Sequence, residues 1–181
     1  NNRLAETVTS SLEGTRGDYA IAIKNLKTGE EYYQNETMMF DSASLYKLWV
    51  MGTVYSQVND GTLTLDKPLK VDVTQINKTF DIDPEFAELT EGELNFTIKS
   101  AMEQMITISH NYAALGLAAK VKNSNMKSFL ETYNMTQTKS SSPPQTNAHD
   151  ILLFYEHLYF GKLVSPVAFA YMIELLKGPY L

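Results

Sequence analysis

The chain has 181 residues, 44% of them hydrophobic, enough for one domain with a real core or two closely packed lobes. Its 21 acidic against 15 basic residues give a formal charge of -6, and no basic patch marks a nucleic-acid partner. Without a cysteine there are no disulfides or thiolate metal sites, and His110, His149 and His157 lack zinc-ligand spacing, so no cofactor or metal is expected.

Residues 2–12 predict an amphipathic helix with Leu4, Val8 and Leu12 on one stripe. Tyr19 to Ile23 reads as a strand, Lys27-Thr28-Gly29-Glu30 as a tight turn, and Glu31-Tyr32-Tyr33 as the returning strand. A helix follows from Ser44 to Val58, where Leu45, Trp49, Val50, Val54 and Val58 recur at helical intervals and Asp60-Gly61 supplies the stop. Residues 61–96 read as mostly irregular, with extended pieces at Thr62–Leu65 and Leu69–Val71. Asp81, Asp83, Glu85, Glu88, Glu91 and Glu93 read as a solvated acidic face whose spacing does not match a calcium loop.

Thr97 is placed to cap a helix reaching about Ile108, with Ile98, Ala101, Met102, Met105 and Ile106 on its buried side. After a break at Ser109-His110-Asn111, a helix rich in small residues runs from Tyr112 to Val121, and another from about Asn125 to Tyr133. Thr136 to Thr146 reads as a loop. Asn147 caps a helix through Phe160, and Ser165-Pro166 opens one through Leu176, with Lys177 to Leu181 as a helix end. No apolar run approaches the roughly 20 residues that cross a bilayer.

Two segments carry the chemistry. In Ser44-Leu45-Tyr46-Lys47 one helical turn sets a hydroxyl and an amine on the same face, where a partly desolvated, neutral amine can take the hydroxyl's proton. Ser-x-x-Lys alone occurs by chance in many helices, and a serine at a helix start commonly acts as a cap. Ser109-His110-Asn111 is the second segment: a polar triplet at a helix break, where Ser109 can relay a proton and Asn111 can hold a substrate amide or the Lys47 amine. His110 has room to point outward, and Tyr46 is expected to serve packing.

Together the segments resemble the serine beta-lactamase and penicillin-binding protein family, especially class A beta-lactamases. Phe40 to Lys47 resembles the nucleophile segment, and Ser109-His110-Asn111 resembles Ser-Asp-Asn with histidine for aspartate. The resemblance implies an α/β (α+β) fold. Residues 1–38 would supply the N-terminal helix and hairpin of an α/β lobe, 39–163 a helical lobe carrying both motifs, and 164–181 a helix returning to the α/β lobe. It implies a serine acyl hydrolase with Ser44, Lys47 and Ser109 catalytic and Asn111 binding substrate. A beta-lactam or peptidoglycan-like peptide is the implied substrate, and the extracellular space or bacterial envelope the implied location. A non-catalytic envelope module of the same fold and a penicillin-binding esterase or peptidase are the alternatives.

Two departures shape what to expect. From Thr132 through His149 there is no acidic residue to match the loop glutamate that releases the acyl-enzyme in class A. The family's second Lys-Thr-Gly lies on a late strand, whereas Lys27-Thr28-Gly29 here falls in a hairpin turn. The strands that would carry it are expected from a longer form of the chain or from a second polypeptide, with this chain alone inactive.

Overall fold

The computed structural model describes residues 2–178, so Pro179 to Leu181, the last part of the predicted helix end, lie outside the described residues. In chain order the elements are α1 (Asn2–Leu12), β1 (Ile21–Lys24), β2 (Glu31–Gln34), β3 (Phe40–Asp41), a 3-10 turn (Ala43–Leu45) and α2 (Tyr46–Asn59). There follow β4 (Pro68–Asp72), α3 (Val73–Thr79), β5 (Glu93–Thr97), α4 (Ile98–Thr107), α5 (Asn111–Val121) and α6 (Asn123–Thr132). Last come β6 (Gln145–Thr146), α7 (Ala148–Tyr159) and α8 (Pro166–Lys177). The described residues form three two-stranded antiparallel sheets, β1-β2, β3-β6 and β4-β5, among a majority of helix.

The core is built around α2. Every residue from Lys47 to Tyr55 is buried, so this helix is covered on all faces rather than along one stripe. The fully enclosed Val50, Met51 and Val54 each contribute roughly 2 kcal/mol of apolar burial. Helices α4, α5, α6 and α8 pack around it. Gly52 makes one of these approaches possible, since a Cβ there would collide with the Phe129 ring of α6.

Local capping fixes the helix starts. Thr97 and Ser100 cap α4 reciprocally, with Ser100 N–H donating to Thr97 Oγ1 (3.1 Å) and Thr97 N–H to Ser100 Oγ (2.9 Å). Asn147 accepts from Asp150 N–H (2.8 Å) at α7, and Ser165 precedes Pro166 at α8.

The region read as irregular is more ordered than its punctuation implies. Pro68–Asp72 pairs with Glu93–Thr97 in register, Leu69 opposite Phe96 and Val71 opposite Leu94, while Thr62–Leu65 forms no strand. Between the paired strands Asp72 caps α3 by accepting from Gln75 N–H at 2.9 Å. Alternating Leu94 and Phe96 turn inward and cover the core, which overrides the weak strand propensity of the acidic flanks. In the other loop, Gln145–Thr146 pairs with Phe40–Asp41 and ties residues 136–147 to the chain just before Ser44.

The N-terminal hairpin matches expectation, with Lys27-Thr28-Gly29 in its turn. Asn25 Oδ1 accepts from Lys27 and Thr28 N–H, and Gly29 takes φ 77°. Helix α7 packs on β1, where Lys24 pairs with Glu156 at 2.8 Å. Beside β1 lies an apolar trough of about 640 Å³ lined by Ile21, Ala22, Phe40, Leu45, Ile151 and Tyr155 among others. No helix among the described residues is long and apolar enough to cross a membrane.

Candidate active site

The site forms where the start of α2 meets the break between α4 and α5. Ser44 sits in the 3-10 turn that leads into α2, one residue after Ala43, whose φ of 43° is unusual for a side chain with a Cβ. Ser42 is buried and holds the turn: its N–H donates to Pro144 O (2.9 Å), and its carbonyl accepts from Leu45 N–H (2.9 Å). The entry is therefore a tight turn rather than the first turn of a regular helix, and it leaves Ser44 exposed while Lys47 is only 3% exposed.

On the other side α4 ends at Thr107, and Ser109 adopts φ 57°. His110 then caps α5 through Nδ1, which accepts from Ala113 N–H at 3.3 Å, and its ring stands edge-on to Phe96 at 5.7 Å. His110 is therefore half-buried and held by the helix start rather than free in solvent. The imidazole takes the capping role at a helix start and turns Asn111 toward α2.

The predicted residues converge. Ser44 Oγ lies 3.0 Å from Ser109 Oγ and 3.2 Å from Lys47 Nζ. The Lys47 amine also reaches Ser109 Oγ (2.7 Å), Ser109 O (2.7 Å) and Asn111 Oδ1 (2.9 Å). Of these four oxygens, two are carbonyls that can only accept. A neutral amine has two N–H bonds and one lone pair. If the N–H bonds go to Ser109 O and Asn111 Oδ1, the lone pair faces the two hydroxyls, the arrangement a general base requires.

Electrostatics lean the same way. Burial holds the Lys47 amine below its usual pKa, and the negative charge of Glu88 pulls it partly back up. Tyr46, one residue before Lys47, is pushed up to about 12 by burial, with the Glu88 charge adding, so its phenol stays neutral near pH 7. The ring lies 5.7 Å from Nζ, in keeping with a packing role.

Glu88 belongs to the stretch read as a solvated face and is exposed, but its carboxylate also reaches the site. Asn111 Nδ2 donates to Glu88 Oε1. The carboxylate is held in place by its chain neighbour Leu89, whose N–H donates to the Tyr112 hydroxyl at 3.2 Å. The Leu89 carbonyl accepts from Asn77 Nδ2 at 2.8 Å and lies 2.7 Å from that same hydroxyl. Sequence reasoning missed Glu88 because its partners lie on α3 and α5, far along the chain.

The loop from 136 to 147 brings no carboxylate to the site. Its nearest acid, Asp150, is 1% exposed and accepts from Gln137 N–H (3.1 Å), Thr138 N–H (2.7 Å) and Thr138 Oγ1 (2.8 Å). These bonds fold the loop back on α7.

A family model described as "Beta-lactamase enzyme family" matches residues 3–180. Comparison with curated proteins gives no match. Among solved structures, a beta-lactamase from Sphaerobacter thermophilus is similar with a TM-score of 0.82 at 21% identity, over 99% of this chain and 71% of that one. A beta-lactamase from Chitinophaga pinensis gives 0.80 at 15% identity, over 97% and 70%. A mutant of PBP-A, in an acyl-enzyme complex with penicillin G, gives 0.78 at 16% identity, over 96% and 68%. At these identities the structural likeness establishes a beta-lactamase-like fold.

Proposed function

Because this chain belongs to the beta-lactamase enzyme family, we propose that it is a serine acyl hydrolase acting on beta-lactams or on related peptidoglycan-like amides and esters, with Ser44 as nucleophile. One observation carries the reading: the Lys47 amine, buried and held below its usual pKa, lies within hydrogen-bond reach of Ser44 Oγ with two carbonyl acceptors opposite.

In this mechanism Lys47 takes the Ser44 proton as Oγ attacks the carbonyl carbon. The carbonyl oxygen becomes an oxyanion. The N–H of Ser44, in an opening turn whose backbone donors lack intrahelical acceptors, is placed to stabilise it. Collapse of the intermediate breaks the carbon–nitrogen or carbon–oxygen bond. Ser109, 2.7 Å from Nζ and 3.0 Å from Ser44 Oγ, passes a proton from the lysine to the departing atom. Asn111 orients Lys47 through its oxygen, and the second N–H of its amide, the one not given to Glu88, is available to a substrate carbonyl.

Release of the acyl group needs an activated water. The stretch from Thr132 through His149 has no carboxylate, and Asp150 is committed to backbone amides. These observations favour slow deacylation, as expected of a penicillin-binding esterase or peptidase rather than a fast lactamase. The edge of β1 not used by β2, together with the adjoining apolar trough, suits a further strand from more of this chain or from a second polypeptide. Substrates of this class place the site outside the cytoplasm or in the bacterial envelope.

The test is incubation with a fluorescent penicillin followed by intact-mass and peptide mapping. A persistent adduct on Ser44, absent in Ser44→Ala, is the expected result. No adduct on the longest natural form of the chain would remove the acylation reading.

A further inference from the structure

Asn111 has a two-sided role. Its oxygen faces Lys47, and its nitrogen faces the Glu88 carboxylate. We propose that Glu88 is a positioning residue of this site, locking the Asn111 amide with its oxygen on Lys47 so that the amine's lone pair stays free for the Ser44 proton.

An amide can turn over and exchange oxygen for nitrogen. With Asn111 reversed, its NH2 group would oppose the N–H bonds of a charged Lys47 or donate into the lone pair of a neutral one. Either arrangement defeats the base. Glu88 disfavours the reversal, because an ionised carboxylate only accepts and would then meet the Asn111 oxygen.

The carboxylate has fixed support for this task. Tyr112, 2% exposed, accepts from Leu89 N–H, and Asn77 Nδ2 donates to Leu89 O, so the backbone next to Glu88 is tied to α5 and α3. Tyr112 directly follows Asn111 on α5. One helix turn therefore carries both the amide and the anchor of the carboxylate that orients it.

The same charge acts on Lys47. The titratable groups that bear on the amine are Glu88 and Tyr46, and Tyr46 stays neutral near pH 7. His110, on the segment packed against the amine, is turned to Ala113 N–H. Glu88 thus opposes burial and keeps a larger fraction of Lys47 protonated, while fixing the geometry that the neutral form uses. Because Glu88 is exposed, added salt weakens the charge effect but not the hydrogen bond.

The inference rests on the acylation reading, and its test separates the two. Glu88→Gln keeps an acceptor oxygen without the charge, Glu88→Ala removes both, and Glu85→Gln on the same loop serves as control. The Lys47 titration is followed by NMR of 13C-labelled lysine, assigned with Lys47→Arg. Its midpoint is expected to fall in Glu88→Gln and Glu88→Ala and to stay put in Glu85→Gln. Acylation by fluorescent penicillin, compared on the high-pH plateau, is expected to fall about threefold in Glu88→Gln, whose amide can pair with Asn111 in either orientation, and about tenfold in Glu88→Ala. An unmoved Lys47 midpoint in both Glu88 variants, or a wild-type plateau in Glu88→Ala, overturns the proposal. If the longest natural form of the chain, unmodified, is not acylated, the nucleophile assignment fails. The Lys47 midpoint and the Asn111 side-chain amide signals then decide the positioning role alone, with Glu88→Gln as the readout should Glu88→Ala not fold.

Discussion

Two loops border the site, and each is tied to a carboxylate, one of its own and one from the helix that follows it, in opposite ways. The segment from 80 to 92 carries Glu88 out to Asn111, exposed and facing the chemistry. The segment from 136 to 147 draws Asp150 inward, where three donors satisfy the carboxylate. Under the proposed function one carboxylate serves the step that would form an acyl-enzyme; the other organises a loop. The difference teaches that sequence proximity to a site says little about whether an acid serves it. What decides is the set of donors that reach it first.

The most severe way to break the comparison is to remove the base that Glu88 is argued to serve. Lys47→Met should lower the rate of penicillin acylation by about 10²- to 10⁴-fold, read from the time course of adduct formation. The same variant sharpens the electrostatics. Since the folded-state pKa of Lys47 lies below its ordinary 10.5, the unfolded chain binds more protons between those two values. Wild-type stability should therefore rise with pH across that window relative to Lys47→Met, and fall back below it, as read by urea denaturation at a series of pH values.

A smaller effect is expected from the inward-facing acid. Asp150→Asn can still offer an oxygen to the three donors, which all reach one carboxylate oxygen, but removes the charge that strengthens those bonds, and the loss should be about 1–2 kcal/mol in denaturant unfolding. Variant that remains folded should still acylate Ser44 at close to the original rate. A specific loss of acylation without loss of stability would place Asp150 in the chemistry and end the contrast between the loops. The mildest change is Tyr112→Phe, which removes the acceptor for Leu89 N–H and should cost about 1 kcal/mol. It should also speed amide exchange at Leu89. Unaltered exchange there would mean that Asn77 alone holds the loop.

Much of this site was legible because its parts are local. Ser44 and Lys47 are separated by one helical turn, and Ser109 and Asn111 flank a helix break, so the two motifs could be found by spacing and assigned together through their family resemblance. Glu88 was not legible, since its meaning depends on Tyr112 and Asn77 meeting Leu89 from other helices. The β4-β5 pairing and α3 did leave signals. Leu94 and Phe96 alternate with polar residues, and Asp72 stands three before Gln75 in a capping pattern. Pro68 and Gly92, residues that commonly mark loops, stand at the start of β4 and just before β5. Ser44 and Leu45 were read as the opening of the helix, whereas they continue a tight turn from Ala43, because no residue there signals a positive φ.

The helix behind Ser44 is enclosed on every face for nine consecutive residues. A beam clamped along its length cannot shift its tip to suit a new reactant without disturbing α4, α5, α6 and α8 together. Divergence toward other acyl groups is thereby confined to the exposed borders of the cleft, where a substitution changes what enters and leaves the reacting hydroxyl where it stands.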